Sequence, residues 1–145
     1  MRVLAVDWGE RRIGLAVSDP QEVIASGLET LLVRGAAQGV QDVARVAREV
    51  EADCVVVGLP LLMDGGRGTA AEAAQRFADR VREQSGLPVE TYDERLTSVL
   101  SERRLREAGV RTGHAKARVD QGAAVALLES YLSWRKARRA REQAP

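Results

Sequence analysis

The sequence predicts an α/β fold: a mixed five-stranded sheet, made of a three-strand antiparallel meander plus two parallel strands, flanked by helices. Three observations carry this. The chain opens on apolar segments joined by short turns, Val3-Leu4-Ala5-Val6 and Ile13-Gly14-Leu15-Ala16-Val17. Helical spacing then sets in, with Val40, Val43, Val46, Ala47 and Val50 on one side. After that, short apolar runs alternate with amphipathic stretches, which implies crossover connections and parallel pairing.

Strand one is expected at 2–8 and strand two at 12–18, with Gly9 and Glu10-Arg11-Arg12 forming the turn between them. Strand three spans roughly 23–33, interrupted at Gly27. The first helix follows, then a fully apolar strand at Cys54-Val55-Val56-Val57 that ends in Gly58-Leu59-Pro60. A glycine-rich loop covers 61–68. Thr69-Ala70-Ala71-Glu72 has the capping-box pattern and opens a second helix with Ala70, Ala74, Phe77, Ala78 and Val81 on one side. Residues 88–93 form strand five. A third helix is expected over about 97–108, capped by Thr97 or Ser98 and stopped by Gly109. A polar loop at 110–118 leads to a last helix from about Val119 to beyond Trp134.

Composition narrows the class. A length of 145 residues suits one core, read as a single domain at 1–135 with a basic tail at 136–145. With 45% hydrophobic and 30% charged residues, a soluble globular protein is expected. No apolar run is long enough for a membrane span. A strand begins almost at once, leaving no room for a signal peptide, so the expected compartment is the cytoplasm. One cysteine, Cys54, and one histidine, His114, exclude an internal disulfide and the usual zinc sets. The net charge of +1 is uninformative, but its distribution is not: Arg135-Lys136-Ala137-Arg138-Arg139-Ala140-Arg141 is strongly basic. That is either a solvated helix face or a surface for nucleic-acid phosphates. Aromatic residues at 3% argue against a base-stacking platform, and Tyr131 and Trp134 read as packing residues.

Three acids stand out by position. Asp7 ends strand one, Glu94 ends strand five beside Asp93, and Asp120 falls in the first turn of the expected last helix, on the face shared with Ala124, Leu127 and Tyr131. Taken singly, each has an ordinary alternative: Asp7 as a turn-former, Glu94 as a partner of Arg95 or Arg118, Asp120 as a helix cap. Together they bring carboxylates from three chain segments to the carboxyl edge of the sheet. Such a cluster repels itself unless a cation neutralises it, and hard divalent ions prefer oxygen ligands. Two ions spaced for in-line attack on a phosphodiester are the expected arrangement, with Mg²⁺ or Mn²⁺ held by Asp7, Glu94 and Asp120.

These residues carry a resemblance. Asp7-Trp8-Gly9 through Gly14-Leu15-Ala16-Val17-Ser18-Asp19, Val57-Gly58-Leu59-Pro60-Leu61 with Met63-Asp64-Gly65, Asp93-Glu94-Arg95-Leu96-Thr97-Ser98, and Val119-Asp120 leading to Leu127-Leu128-Glu129-Ser130-Tyr131 are similar to the YqgF (RuvX) family of RNase H-like nucleases. Nearly the whole chain is covered. The resemblance implies an RNase H-like fold and a metal-dependent nuclease site at Asp7, Glu94 and Asp120. It implies a nucleic-acid substrate, either the 5′ end of pre-16S rRNA or a Holliday junction in branched DNA. Where RuvC resolvases carry an acid on strand four, this chain has Gly58-Leu59-Pro60, and Glu94 is expected to substitute. Lys116 matches a lysine common in the family and is expected near the scissile phosphate.

Further substrate-binding candidates are Arg11 and Arg12 beside Asp7, Gly58, Arg67 in the glycine loop, Arg95 beside Glu94, and Arg118 before Asp120. Gly58 and the backbone N–H groups of 64–68 would let a phosphate backbone approach. His114 reads as an exposed loop residue rather than a general acid. Two other classes compete. A phosphotransferase of the actin and sugar-kinase type would need two such domains around a cleft. A non-catalytic nucleic-acid-binding module would not need the three acids. The oligomeric state stays open, a homodimer included; resolving a junction needs two sites related by a two-fold axis.

Overall fold

The computed structural model describes residues 1–62, 64–97 and 113–144, with side chains in the last helix from Gly122 onward. The expected third helix, and Ser98 with it, lie outside the described residues.

β1 (Val3–Trp8) and β2 (Arg12–Ser18) pair antiparallel, with Asp7 opposite Gly14 and Trp8 opposite Ile13. Their turn requires Gly9, where a Cβ would lie 2.8 Å from the Arg12 carbonyl oxygen. The expected third strand is instead two short ones. β3 (Ala25–Gly27) pairs with Ala16–Ser18 and β4 (Leu31–Leu32) with Arg12–Ile13, side by side along the same edge of β2. The sheet therefore has six strands, not five. The chain at 28–30 leaves the ladder, apart from a bond from the Leu28 N–H to the Leu15 carbonyl (2.9 Å).

On the other side of β1, β5 (Cys54–Leu59) and β6 (Val89–Asp93) add in parallel, giving the order β3-β2-β1-β5-β6. All six residues of β5 are buried, as a central strand covered on both faces must be. Side-chain alternation splits the core in two. Leu4, Val6, Val55 and Val57 meet α1 (Ala36–Glu49) and α2 (Thr69–Ser85) through Val40, Val43, Phe77 and Val81. Val3, Ala5, Cys54 and Val56 meet α3 (Gly113–Glu142) through Ala123, Ala124, Leu127 and Leu128.

Three local expectations change. Gly68, not Thr69, is the N-cap of α2, and no side chain caps it; Glu72 sits in the first turn, where it favours the helix dipole. The buried stripe of α2 starts at Ala71, and Ala70 is exposed. The last helix begins at Gly113, not near Val119. Its first turns lack apolar periodicity, but Ala115, Lys116, Ala117 and Arg118 are all strong helix formers.

α3 runs antiparallel to β1, β5 and β6. Arg135 Nη1 donates to Cys54 Sγ (3.7 Å) at the start of β5, and Tyr92 and Ser130 share a hydroxyl hydrogen bond of 2.7 Å. The early turns of α3 thus head toward the carboxyl ends of the parallel strands. Tyr131 donates its hydroxyl to Glu90 Oε2 (3.0 Å), and Tyr92 packs edge-on to it with ring centroids 5.7 Å apart. Burial, reinforced by Glu90, pushes the Tyr131 phenol up to about 12. A raised acid pKa in the folded state gives stability that is complete below the unfolded value near 10 and lost as pH rises through about 12. Chemical-denaturation midpoints should therefore fall between those pH values, and Tyr131→Phe should flatten that fall. Burial likewise pushes up the Cys54 thiol, which keeps this lone cysteine an unreactive core residue.

Candidate active site

Asp7 is the last buried residue of β1, only 3% exposed. It shares strand parity with Val3 and Ala5, so it faces α3. Both of its sheet neighbours are glycines. Gly14 is its antiparallel partner, and the parallel register that sets Val6 beside Val57 sets Asp7 beside Gly58 when continued by one residue. A carboxylate on a rigid central strand thereby stands in a row cleared of side chains.

Glu94 reaches the same row from another element. β6 ends at Asp93, whose carboxylate accepts the Arg95 N–H (2.9 Å) and caps a 3-10 turn at Glu94–Leu96. That turn reverses the side-chain direction at the strand end. Glu94 becomes buried, 3% exposed, with its carboxylate folded back over β5. A Cβ built on Gly58 would lie 2.6 Å from Glu94 Oε1, 3.1 Å from its Cγ and 3.3 Å from its Cδ. The Glu94 carboxylate fills the space that a side chain from position 58 would occupy. The glycine of β5 vacates the place that the Glu94 carboxylate takes. Thr97 closes the turn, its N–H (3.1 Å) and hydroxyl (3.4 Å) both donating to the Glu94 carbonyl.

Asp120 lies within α3, one helical turn before Ala124. Its side chain, with those of His114, Lys116 and Arg118, lies outside the described residues. Among the described residues no group of three His, Cys, Asp or Glu side chains is gathered to hold a metal ion. The structure puts the Glu94 carboxylate over Gly58, the position beside Asp7 on the neighbouring strand, and puts Asp120 on the helix that covers that face.

The remaining candidates are placed as follows. Arg95 is exposed and forks onto Asp93, with Nη2 to Oδ2 at 2.7 Å and Nε to both oxygens at 3.1 Å. That carboxylate raises the guanidinium above its ordinary pKa. The same guanidinium lies 3.6 Å from where a Cβ of Gly65 would be, so it also bears on the glycine loop. The loop is internally bonded: Gly65 N–H donates to the Leu62 carbonyl and Gly66 N–H to Asp64 Oδ1. Those two donors face into the loop and are not offered to a phosphate. Arg67 is exposed and reaches Gln75 at 3.5 Å. Arg11 is exposed on the β1–β2 turn, and Arg12 is half-buried at the start of β2. Sequence reasoning missed Asp93 and Thr97 as the residues that aim Glu94. The signal was the run Asp-Glu-Arg-Leu-Thr, an N-cap acid two positions before its own arginine.

Comparison with known proteins decides the family. The model of the RuvX family, described as Holliday junction resolvase, matches residues 1–134. The chain belongs to the RuvX family. Relatives within it include a protein of Chloroflexus aurantiacus, 45% identical over 134 residues that cover 92% of this chain and 88% of the relative. Another, from Anaeromyxobacter dehalogenans, is 44% identical over 93% of this chain and 98% of its own length. Both carry the name "Putative pre-16S rRNA nuclease". Among solved structures, Thermus thermophilus RuvC in complex with a Holliday junction substrate superposes with a TM-score of 0.61 at 17% identity, covering 94% of this chain and 96% of that one. That likeness bears out the expected RNase H-like fold with its mixed sheet.

Proposed function

We propose that this RuvX-family protein is a divalent-metal-dependent endonuclease that hydrolyses phosphodiester bonds of structured RNA in 5′-end processing of pre-16S rRNA. The observation that supports the reading is that Asp7 and Glu94 are each 3% exposed, with the Glu94 carboxylate over Gly58 on the strand beside Asp7. The names of the relatives at 44–45% identity support the RNA substrate.

Buried carboxylates in one row cost free energy unless they are neutralised, and their oxygens suit a hard divalent ion. Asp7 and Glu94, joined by Asp120 from α3, would hold Mg²⁺ or Mn²⁺, two ions in all. Bound there, the metal supplies activation of water and charge stabilisation at the phosphate. The protein's own part is positional. The central strand fixes Asp7, the Asp93-capped turn fixes Glu94, and Gly58 leaves the space that the Glu94 carboxylate takes. Arg11, Arg12, Arg67 and Arg95 surround that edge as phosphate contacts, with Lys116 and Arg118 from α3. Hydrolysis adds the water oxygen to phosphorus and breaks the bond to the leaving sugar oxygen, which takes up a proton.

Residues 1–135 form the nuclease domain, and the protein works in the cytoplasm. Among the described residues no helix is long and apolar enough to cross a membrane. The family description favours a second reading, a Holliday junction resolvase on branched DNA, which would act as a homodimer. One assay separates the readings: purified protein with Mg²⁺ or Mn²⁺ on precursor 16S rRNA, single-stranded RNA and four-way DNA junctions. The primary reading expects cleavage at the precursor 5′ end, blocked by EDTA. Cleavage confined to junctions would establish the second reading. Binding of all three without cleavage would mark a non-catalytic module.

A further inference from the structure

The C-terminal third of α3 carries a feature that the catalytic edge does not use. After Leu132 the helix contributes nothing to the core, and residues 136–144 are exposed on every side. Yet the segment stays helical to Glu142. Its residues 135–142 hold five cations (Arg135, Lys136, Arg138, Arg139, Arg141) against one acid, Glu142, and its apolar content is two alanines.

Two of the arginines fasten the helix. Glu22 sits at φ 62 in the turn after β2, where Asp19 accepts the N–H groups of Val23 and Ile24 at 2.7 Å each. From there the Glu22 carboxylate pairs with Arg135 Nε (3.3 Å) and Arg139 Nη1 (3.0 Å). The others face outward. Arg138 lies 5.4 Å over the half-exposed Trp134 ring and shares Glu142 at 3.2 Å. Lys136 and Arg141 form no ion pair among the described residues. Trp134, Arg138 and Arg141 follow one another at i, i+4 and i+7, one stripe of the helix. The segment is far from the catalytic edge: eighteen residues separate Asp120 from Arg138 along one helix, about 27 Å.

We propose that Arg138 and Arg141, on one stripe of the helix, form a second nucleic-acid grip, separate from the catalytic edge, that holds the phosphate backbone of a structured RNA arm. The reading rests on the nucleic-acid substrate proposed above, but not on cleavage. The chemistry selects a polyanion over a protein groove, since the stripe's one apolar group, the Trp134 ring, lies under Arg138. It selects a polyanion over a lipid surface for the same reason, since an interfacial helix needs a broad apolar face. Arginine suits phosphate oxygens through its planar fork, and the Trp134 ring holds one such fork in place.

The test is binding by fluorescence anisotropy in EDTA, with a labelled RNA hairpin of about 20 base pairs, across a salt series. Arg138→Ala/Arg141→Ala should weaken Kd roughly tenfold or more near 0.1 M salt. It should also shorten the slope of log K against log salt by about 1 to 2. Restoring charge with Arg138→Lys/Arg141→Lys should restore most of the slope. Unfolding midpoints should match the parent, because these side chains touch no core. An unchanged slope and Kd would overturn the grip, and so would binding to phosphatidylglycerol vesicles without any change in RNA affinity. A shortened slope in a protein that never cleaves would keep the grip and sink the nuclease.

Discussion

Asp7→Asn should abolish the proposed divalent-metal-dependent cleavage, by about a thousandfold or more, equal to roughly 4 kcal/mol or more of lost transition-state stabilisation. The substitution is nearly isosteric, so the row between Gly14 and Gly58 keeps its shape. What is lost is the negative charge at a site that is 3% exposed, where little water replaces it. An amide oxygen is a poor substitute for a carboxylate as a ligand to a hard ion. The fold should survive, because the side-chain volume is kept. Cleavage rates and thermal melting on the same preparation check this together. Equal cleavage by parent and variant, after contaminating nuclease is removed, overturns the hydrolase assignment. Coincident loss of fold and activity would reassign Asp7 to structure.

Asp7 was legible in the sequence because an apolar run that ends in the acid of Asp-x-Gly has few other uses on a buried central strand. The two-face core was legible for a similar reason: α1, α2 and the middle of α3 each keep one buried stripe, and β5 is apolar throughout. The division of strand three was not, because β3 and β4 are three and two residues long and depend on pairing with β2 more than on any pattern of their own. The early start of α3 was hidden by polarity, since helix-forming lysine, arginine and alanine without an apolar stripe look like a loop. At the candidate site, the sequence named Glu94 and Gly58 separately. It assigned the glycine to the approach of a phosphate. Only three-dimensional placement shows the two superposed, because the contact depends on a 3-10 turn that redirects one side chain. Arg95 shows the same limit: beside Glu94 in sequence, it is fastened to Asp93 by that turn.

Gly58→Ala should cost activity far more than stability. The added methyl would meet the far end of a flexible carboxylate, with Oε1 2.6 Å away, rather than backbone. Glu94 can move by changing rotamer, at a cost on the order of 1 kcal/mol, so the fold should survive with a slightly lowered melting point. Its carboxylate, however, would leave the row shared with Asp7. Misplacing a reacting group by about 1 Å can cost about a hundredfold in rate, and a loss of 10²–10³-fold is expected here. The mechanism makes a sharper demand than the loss itself. If Gly58 acts by making room for Glu94, the two substitutions must be coupled. Gly58→Ala added to Glu94→Ala should then lower the residual rate little further. If Gly58 instead serves a phosphate directly, the losses should multiply. A double-mutant cycle on cleavage rate, with melting points recorded for all four proteins, separates a glycine that vacates space for a carboxylate from one that vacates space for the substrate.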